Sequence, residues 1–178
     1  MKFWRTKKNP VIRLSSPTVA ILDLVGEQVV ELVNEDQQLL SRLFNKVHYV
    51  TRDAPTCDVM FLYARITADG GIVGWNGGLR ELIRDSGAKI VVVASENPGP
   101  AYVKAGAGKP YGQANLVMTI ARNGSAFGQF FAALFSQMNR GVSMPEAWVQ
   151  LSPQRPGSGS AEQPSTIFAC ELGQLTFR

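Results

Sequence analysis

"KIVVVASENPGP", residues 89–100, decides how the rest of the chain is read. Its apolar run halts at Ser95, Glu96 and Asn97. A buried parallel strand that delivers its C-terminal edge to a crevice reads this way, apolar on both faces and then abruptly small and polar. Other segments of the same kind lie on either side. "TVAILDLV" (18–25), "KVHYVT" (46–51), "DVMFLYA" (58–64) and "ANLVMTIA" (114–121) are strands by their branched and aromatic content, and "VVELV" (29–33) is read as a short extra strand. "TIFACELGQLTF" (166–177) is a last strand, or a hairpin around Gly173.

Helical segments alternate with these strands. Asn34 stands at an N-cap position with Gln37 three residues on, ahead of an apolar face of Leu39, Leu40, Leu43 and Phe44 ending near Asn45. Leu79, Leu82 and Ile83 mark a second helix closed by Gly87. In "SAFGQFFAALFSQMNRG" (125–141), Phe127, Phe130, Phe131, Leu134, Phe135 and Met138 fall on one stripe at helical spacing, which predicts burial in the core. Ser143 with Glu146 forms a capping box for a short helix through Trp148 and Leu151. The alternation predicts an α/β fold, a three-layer sandwich with a mostly parallel sheet of about six strands and helices on both faces.

A length of 178 residues fits one domain, residues 18–178, behind a basic arm at 1–17. Residues 1–13 hold Lys2, Arg5, Lys7, Lys8 and Arg13, five of the 18 basic residues, and no acid. The remaining 13 basic residues face 14 acidic ones, so the body is near neutral and does not itself suggest nucleic acid. Phe3 and Trp4 among the arm's cations suit a membrane surface, nucleic acid or an acidic partner, or a solvated tail. No apolar core of a signal peptide follows the arm and no stretch reaches membrane-span length, so a cytoplasmic protein is expected. Cys57 and Cys170 have neither metal-ligand spacing nor a partner pattern.

Several chemistries are excluded by their motifs. "AGAGKP" lacks the flanking residues of a phosphate loop and is read as turn-rich loop, no G-x-G-x-x-G opens a helix, and G-x-S-x-G is absent. No cofactor is expected. The single histidine, His48, lies inside a strand between Val47 and Tyr49, a structural position. Ser95 without a base is a poor nucleophile. Trp75, in the glycine-dense "ITADGGIVGWNGG", is a lid over a pocket or, preferably, an anchor for its loop.

The order "DVMFLYAR", glycine-rich loop, helix, "KIVVVASEN", "ANLVMTI", "FGQFFAALFSQMNRG", "VSMPEAWVQL" and a last strand resembles the caspase-like CHAT domains over roughly residues 18–178. In that family one strand ends in a His-Gly pair that supplies the base, and the next ends in a Ser-Ala-Cys-Glu-Thr-like segment that supplies the nucleophile. The resemblance puts Ser95 at the cysteine, Arg65 at the histidine and Ile66 at the glycine. It also implies the strand order 2-1-3-4-5-6, which sets His48 away from the crevice. Arginine stays protonated and cannot take a serine proton, so the family's peptidase activity is not expected here.

The resemblance therefore implies a pseudo-peptidase: a non-catalytic binding or scaffold module with a protein partner, and Arg65, Ser95, Glu96 and Trp75 as candidate ligand-binding residues. Its contact surfaces would be the arm, the loop around Trp75 and residues 98–112. Two alternatives stand beside it. One is a hydrolase using Ser95, or Cys57, as nucleophile. The other is a binder of small anions, in which Arg65 and Ser95 hold a carboxylate or phosphate from adjacent strand ends. A structural use of Arg65 would be an ion pair with Glu96 or Asp69.

Overall fold

The computed structural model describes residues 10–107, 113–152 and 163–178. Through them run β1 (Ile12–Leu14), β2 (Val19–Asp23), a 3-10 turn (Glu27–Val29), α1 (Val30–Leu43), β3 (Val47–Val50) and β4 (Val59–Tyr63). There follow α2 (Leu79–Ser86), β5 (Ile90–Val93), α3 (Gly99–Ala105), β6 (Asn115–Ala121), α4 (Ala126–Asn139), α5 (Met144–Leu151), β7 (Ser165–Cys170) and β8 (Leu175–Phe177). Six strands form one sheet in the order β3-β2-β4-β5-β6-β7, parallel except for the antiparallel edge strand β7. Numbered along the chain, this is the expected order 2-1-3-4-5-6.

Alternation along the strands divides the core into two layers, because successive side chains leave opposite faces. Val19, Ile21, Val59, Phe61, Tyr63, Ile90 and Val92 face one way, into a layer built by α1, α4, α5 and β8. Ala20, Leu22, Met60, Leu62, Val91 and Val93 face the other, under α2 and α3. Every residue of β2, β4 and β5 is buried, which is why these segments read as unbroken apolar runs. The phenylalanine stripe of α4 is core as expected: Phe127, Phe131 and Phe135 all pack edge-on or tilted against Phe61. The more lateral Phe130 meets Trp148 of α5.

Elsewhere the local signals mislead. "VVELV" is not a strand: a 3-10 turn occupies 27–29 and α1 begins at Val30, so Asn34 lies inside the helix rather than capping it. Val33, Asp36 and Leu40 are buried on α1, with Val29, Leu32, Leu39 and Leu43 packed beside them. That three-and-four spacing outweighs the weak strand preference of valine. Residues 99–105, expected as loop, form α3 with Ala101, Tyr102 and Ala105 buried; residues 108–112 lie outside the described residues, as do 153–162, most of "SPQRPGSGSAEQPS" (152–165), which its Pro, Gly and Ser content marks as loop.

The C-terminal segment is two strands but no hairpin, since β8 leaves β7 and pairs in parallel with β1 as a separate two-stranded sheet. Ile12–Leu14, placed by the sequence in the arm, therefore belong to the folded body; residues 1–9 lie outside the described residues. Ser143 does precede α5, yet its side chain makes no capping bond. Among the described residues no helix is long and apolar enough to cross a membrane.

Candidate functional site

At the C-terminal ends of the parallel strands the sheet opens, and Ser95 occupies the point of divergence. Beyond β5 the chain turns away from β4, and the Asn97 N–H bonds the Thr119 carbonyl of β6 at 3.1 Å. This leaves the backbone of residues 64–66 without its ladder partners, and two side chains replace them. The Ala64 N–H donates to Ser95 Oγ at 2.9 Å, and Ser95 Oγ donates to the Ala64 carbonyl at 2.7 Å. The Ile66 N–H donates to Asn97 Oδ1 at 2.7 Å, while Asn97 Nδ2 donates to the Ala64 carbonyl at 3.0 Å. Tyr102 of α3 closes the cluster by donating to the Thr119 carbonyl at 2.8 Å, its hydroxyl pushed above the usual tyrosine range by burial.

Ser95 is thus a buried structural hydroxyl. Its proton already rests on a carbonyl, and among the described residues no carboxylate or imidazole hydrogen-bonds to it. His48 is no substitute, being exposed on the edge strand β3. In register it lines up with Ala20, Met60 and Val91. Ser95 lies four residues further along and three strands across, roughly 20 Å away by strand geometry. Cys57 is also away from the crevice, because it precedes β4 at the N-terminal ends of the parallel strands, whereas Ser95 follows β5 at their C-terminal ends. Burial foremost, then the nearby Asp58 charge, pushes its thiol up to about 12, so it is no nucleophile at neutral pH.

Arg65 behaves differently. It follows Ser95's partner Ala64, its own carbonyl is tied to the Val73 N–H at 3.0 Å, and its side chain is exposed. The alternative use of Arg65, a structural ion pair with Glu96 or Asp69, does not form. The Asp69 carboxylate accepts from the Thr67 hydroxyl, which lowers its pKa, and Glu96 Oε1 accepts from the Arg122 N–H at 2.7 Å. Arg65 and Glu96 instead share a cleft of about 640 Å³, of which Ser95 forms part of the floor. Val25, Val29 and Leu32 make its apolar wall, and Gly124 and Ser125 bring the start of α4 to its rim. Trp75 is not in this cleft: it packs half-buried on the α2–α3 layer, the anchor role favoured by the sequence.

Beneath the cleft lies a buried ionic cluster that the sequence reading missed. Arg122, just past β6, grips Asp36 of α1 with two hydrogen bonds of 2.9 and 3.1 Å and donates to the Ala94 carbonyl at 2.9 Å. The Tyr63 hydroxyl donates to the same carboxylate at 2.6 Å. Burial first, and then the Asp36 charge, raises the Tyr63 hydroxyl above the usual tyrosine range, which keeps it a donor. The guanidinium stacks over the Phe127 ring with its carbon 3.7 Å from the centroid. One signal was available: Asp36 lies between Val33 and Leu40 on the apolar face of α1, and a charge there needs a buried partner.

Asp23, at the end of β2, fixes the wall. Its carboxylate accepts from the N–H groups of Val25 and Gly26, both at 2.9 Å, and from the Tyr49 hydroxyl at 3.1 Å. The cleft thus presents charged and apolar groups to one space, and among the described residues it shows no hydrogen-bonded pair of nucleophile and base. No family model, curated protein or solved structure matches this chain.

Proposed function

We propose that this domain is a non-catalytic, caspase-like binding module, a pseudo-peptidase whose crevice receives a ligand or protein partner without turning it over. The observation that carries the reading is the reciprocal pair of hydrogen bonds between Ser95 Oγ and the Ala64 backbone. They engage the hydroxyl at the nucleophile position, while the position of the family's base holds Arg65, a side chain that only donates hydrogen bonds. The strand order and the adjacency of β4 and β5 at the crevice support the family resemblance. The free guanidinium of Arg65 is the group that would hold a carboxylate or phosphate. Ser95, the other candidate, has its hydroxyl committed and contributes shape.

The basic residues at 1–13 would add contacts to an acidic partner, nucleic acid or membrane surface, and the free thiols of Cys57 and Cys170 fit a cytoplasmic setting. Intact-mass analysis after incubation with serine-directed and cysteine-directed covalent probes tests the reading. The expected result is no adduct at Ser95. A single adduct that disappears in Ser95→Ala would establish a working nucleophile and replace this reading with a hydrolase.

A further inference from the structure

The cleft is unusual because opposite charges line one space without pairing. Arg65 stands on the segment after β4, Glu35 on the second turn of α1 and Glu96 on the turn after β5, all three exposed and all lining the same space. Neither glutamate forms an ion pair with Arg65 within 4.0 Å. Each is held by a different element: Glu96 by its 2.7 Å bond from the Arg122 N–H, Arg65 by its carbonyl bond to Val73, Glu35 by the helix. Arg122 adds little net field, since Asp36 neutralises it in a bidentate pair.

A ligand bearing only an anion would find Arg65 and the positive end of α4, but would also face two carboxylates. A ligand bearing only a cation would meet the reverse penalty. A dipolar molecule satisfies both, provided that its middle is apolar enough to lie on Val25, Val29 and Leu32. The volume of about 640 Å³ falls in the range of pockets that enclose ligands of drug size, roughly 300–1,000 Å³, and exceeds what one amino acid fills.

Resting on the reading of this cleft as a binding site, we propose that its ligand is a zwitterion with an apolar body, of the kind an unblocked short peptide of apolar residues represents. The carboxylate lies on Arg65, the ammonium on Glu35 and Glu96, and the apolar groups on the α1 wall. No bond is made or broken.

Isothermal titration of the full chain with Leu-Leu, N-acetyl-Leu-Leu and Leu-Leu-amide tests this. Leu-Leu should bind, and loss of either charge should weaken binding about tenfold or more, the scale of one charge-assisted hydrogen bond. Arg65→Gln should abolish the preference for the free acid over the amide and leave the preference for the free amine. The double variant Glu35→Gln with Glu96→Gln should do the opposite. These side chains are exposed, and thermal unfolding of each variant checks that the fold is retained. Equal binding of N-acetyl-Leu-Leu and Leu-Leu would make this a plain anion site and overturn the proposal, as would absence of heat from all three at millimolar concentration. Hydrolysis of Leu-Leu, read by mass in the same samples, would instead overturn the non-catalytic reading.

Discussion

Replacing Ser95 by alanine removes the one acceptor that the Ala64 N–H has among the described residues, while Asn97 Nδ2 still reaches the Ala64 carbonyl. An orphaned buried donor costs about 1–3 kcal/mol, so Ser95→Ala should lower the urea midpoint by that equivalent. An unchanged midpoint would mean that the hydroxyl is not structural. Asp36→Ala should cost more, about 3–5 kcal/mol, because it strands the Arg122 charge in the core. Cys57 sets a pH dependence. Its folded pKa, about 12, stands above the ordinary thiol value of 9.0, so the folded state holds the proton more tightly than the unfolded chain. That contribution is full below pH 9 and disappears as pH rises towards 12, with the buried Tyr63 and Tyr102 hydroxyls acting in the same direction. Urea midpoints at pH 8, 9.5 and 10.5 should fall in that order, and a flat profile would contradict the assignment.

At the scale of elements, the glycine-rich loop after β4 and the helix α3 are matched to each other. Gly70 has φ of 90°, and a Cβ built there would lie 2.6 Å from Ala105 N and from Lys104 C, which are backbone atoms and not the end of a flexible side chain. Gly70→Ala should therefore combine left-handed strain with a clash against α3 and destabilise by about 1–3 kcal/mol. The measurement is chemical unfolding, with fluorescence of Trp75 reporting whether its loop detaches first. The loop was legible in the sequence as loop, but α3 was not. Pro100 in the first turn and Gly106 at the C-cap suit a helix, but at seven residues α3 is too short for propensity or an apolar period to mark it. Packing on the sheet face through Ala101, Tyr102 and Ala105 supplies what propensity lacks.

For the whole molecule, the small β1–β8 sheet ties the chain's first described strand to its last. Buried Leu175 and Phe177 extend the α4–α5 layer, with Phe177 against Phe44 and Phe135. Removing residues 1–14 should consequently lower the unfolding midpoint relative to removing 1–9, because only the longer deletion takes β1 from β8. Identical midpoints would show that β1 adds no stability. The class of fold, the six strands of the main sheet, the buried face of α4 and the closure of α2 at Gly87 were determined by the sequence itself. They follow from periodicity and from φ preference, which act over a few residues. The pairing of Arg122 with Asp36, 86 positions apart, was decided only by the tertiary structure. So was the parallel pairing of β1 with β8, and so were the commitment of Ser95 to Ala64 and the release of Arg65 into the cleft. Each of these depends on which chain segments the sheet order brings side by side, and no local pattern encodes that distance.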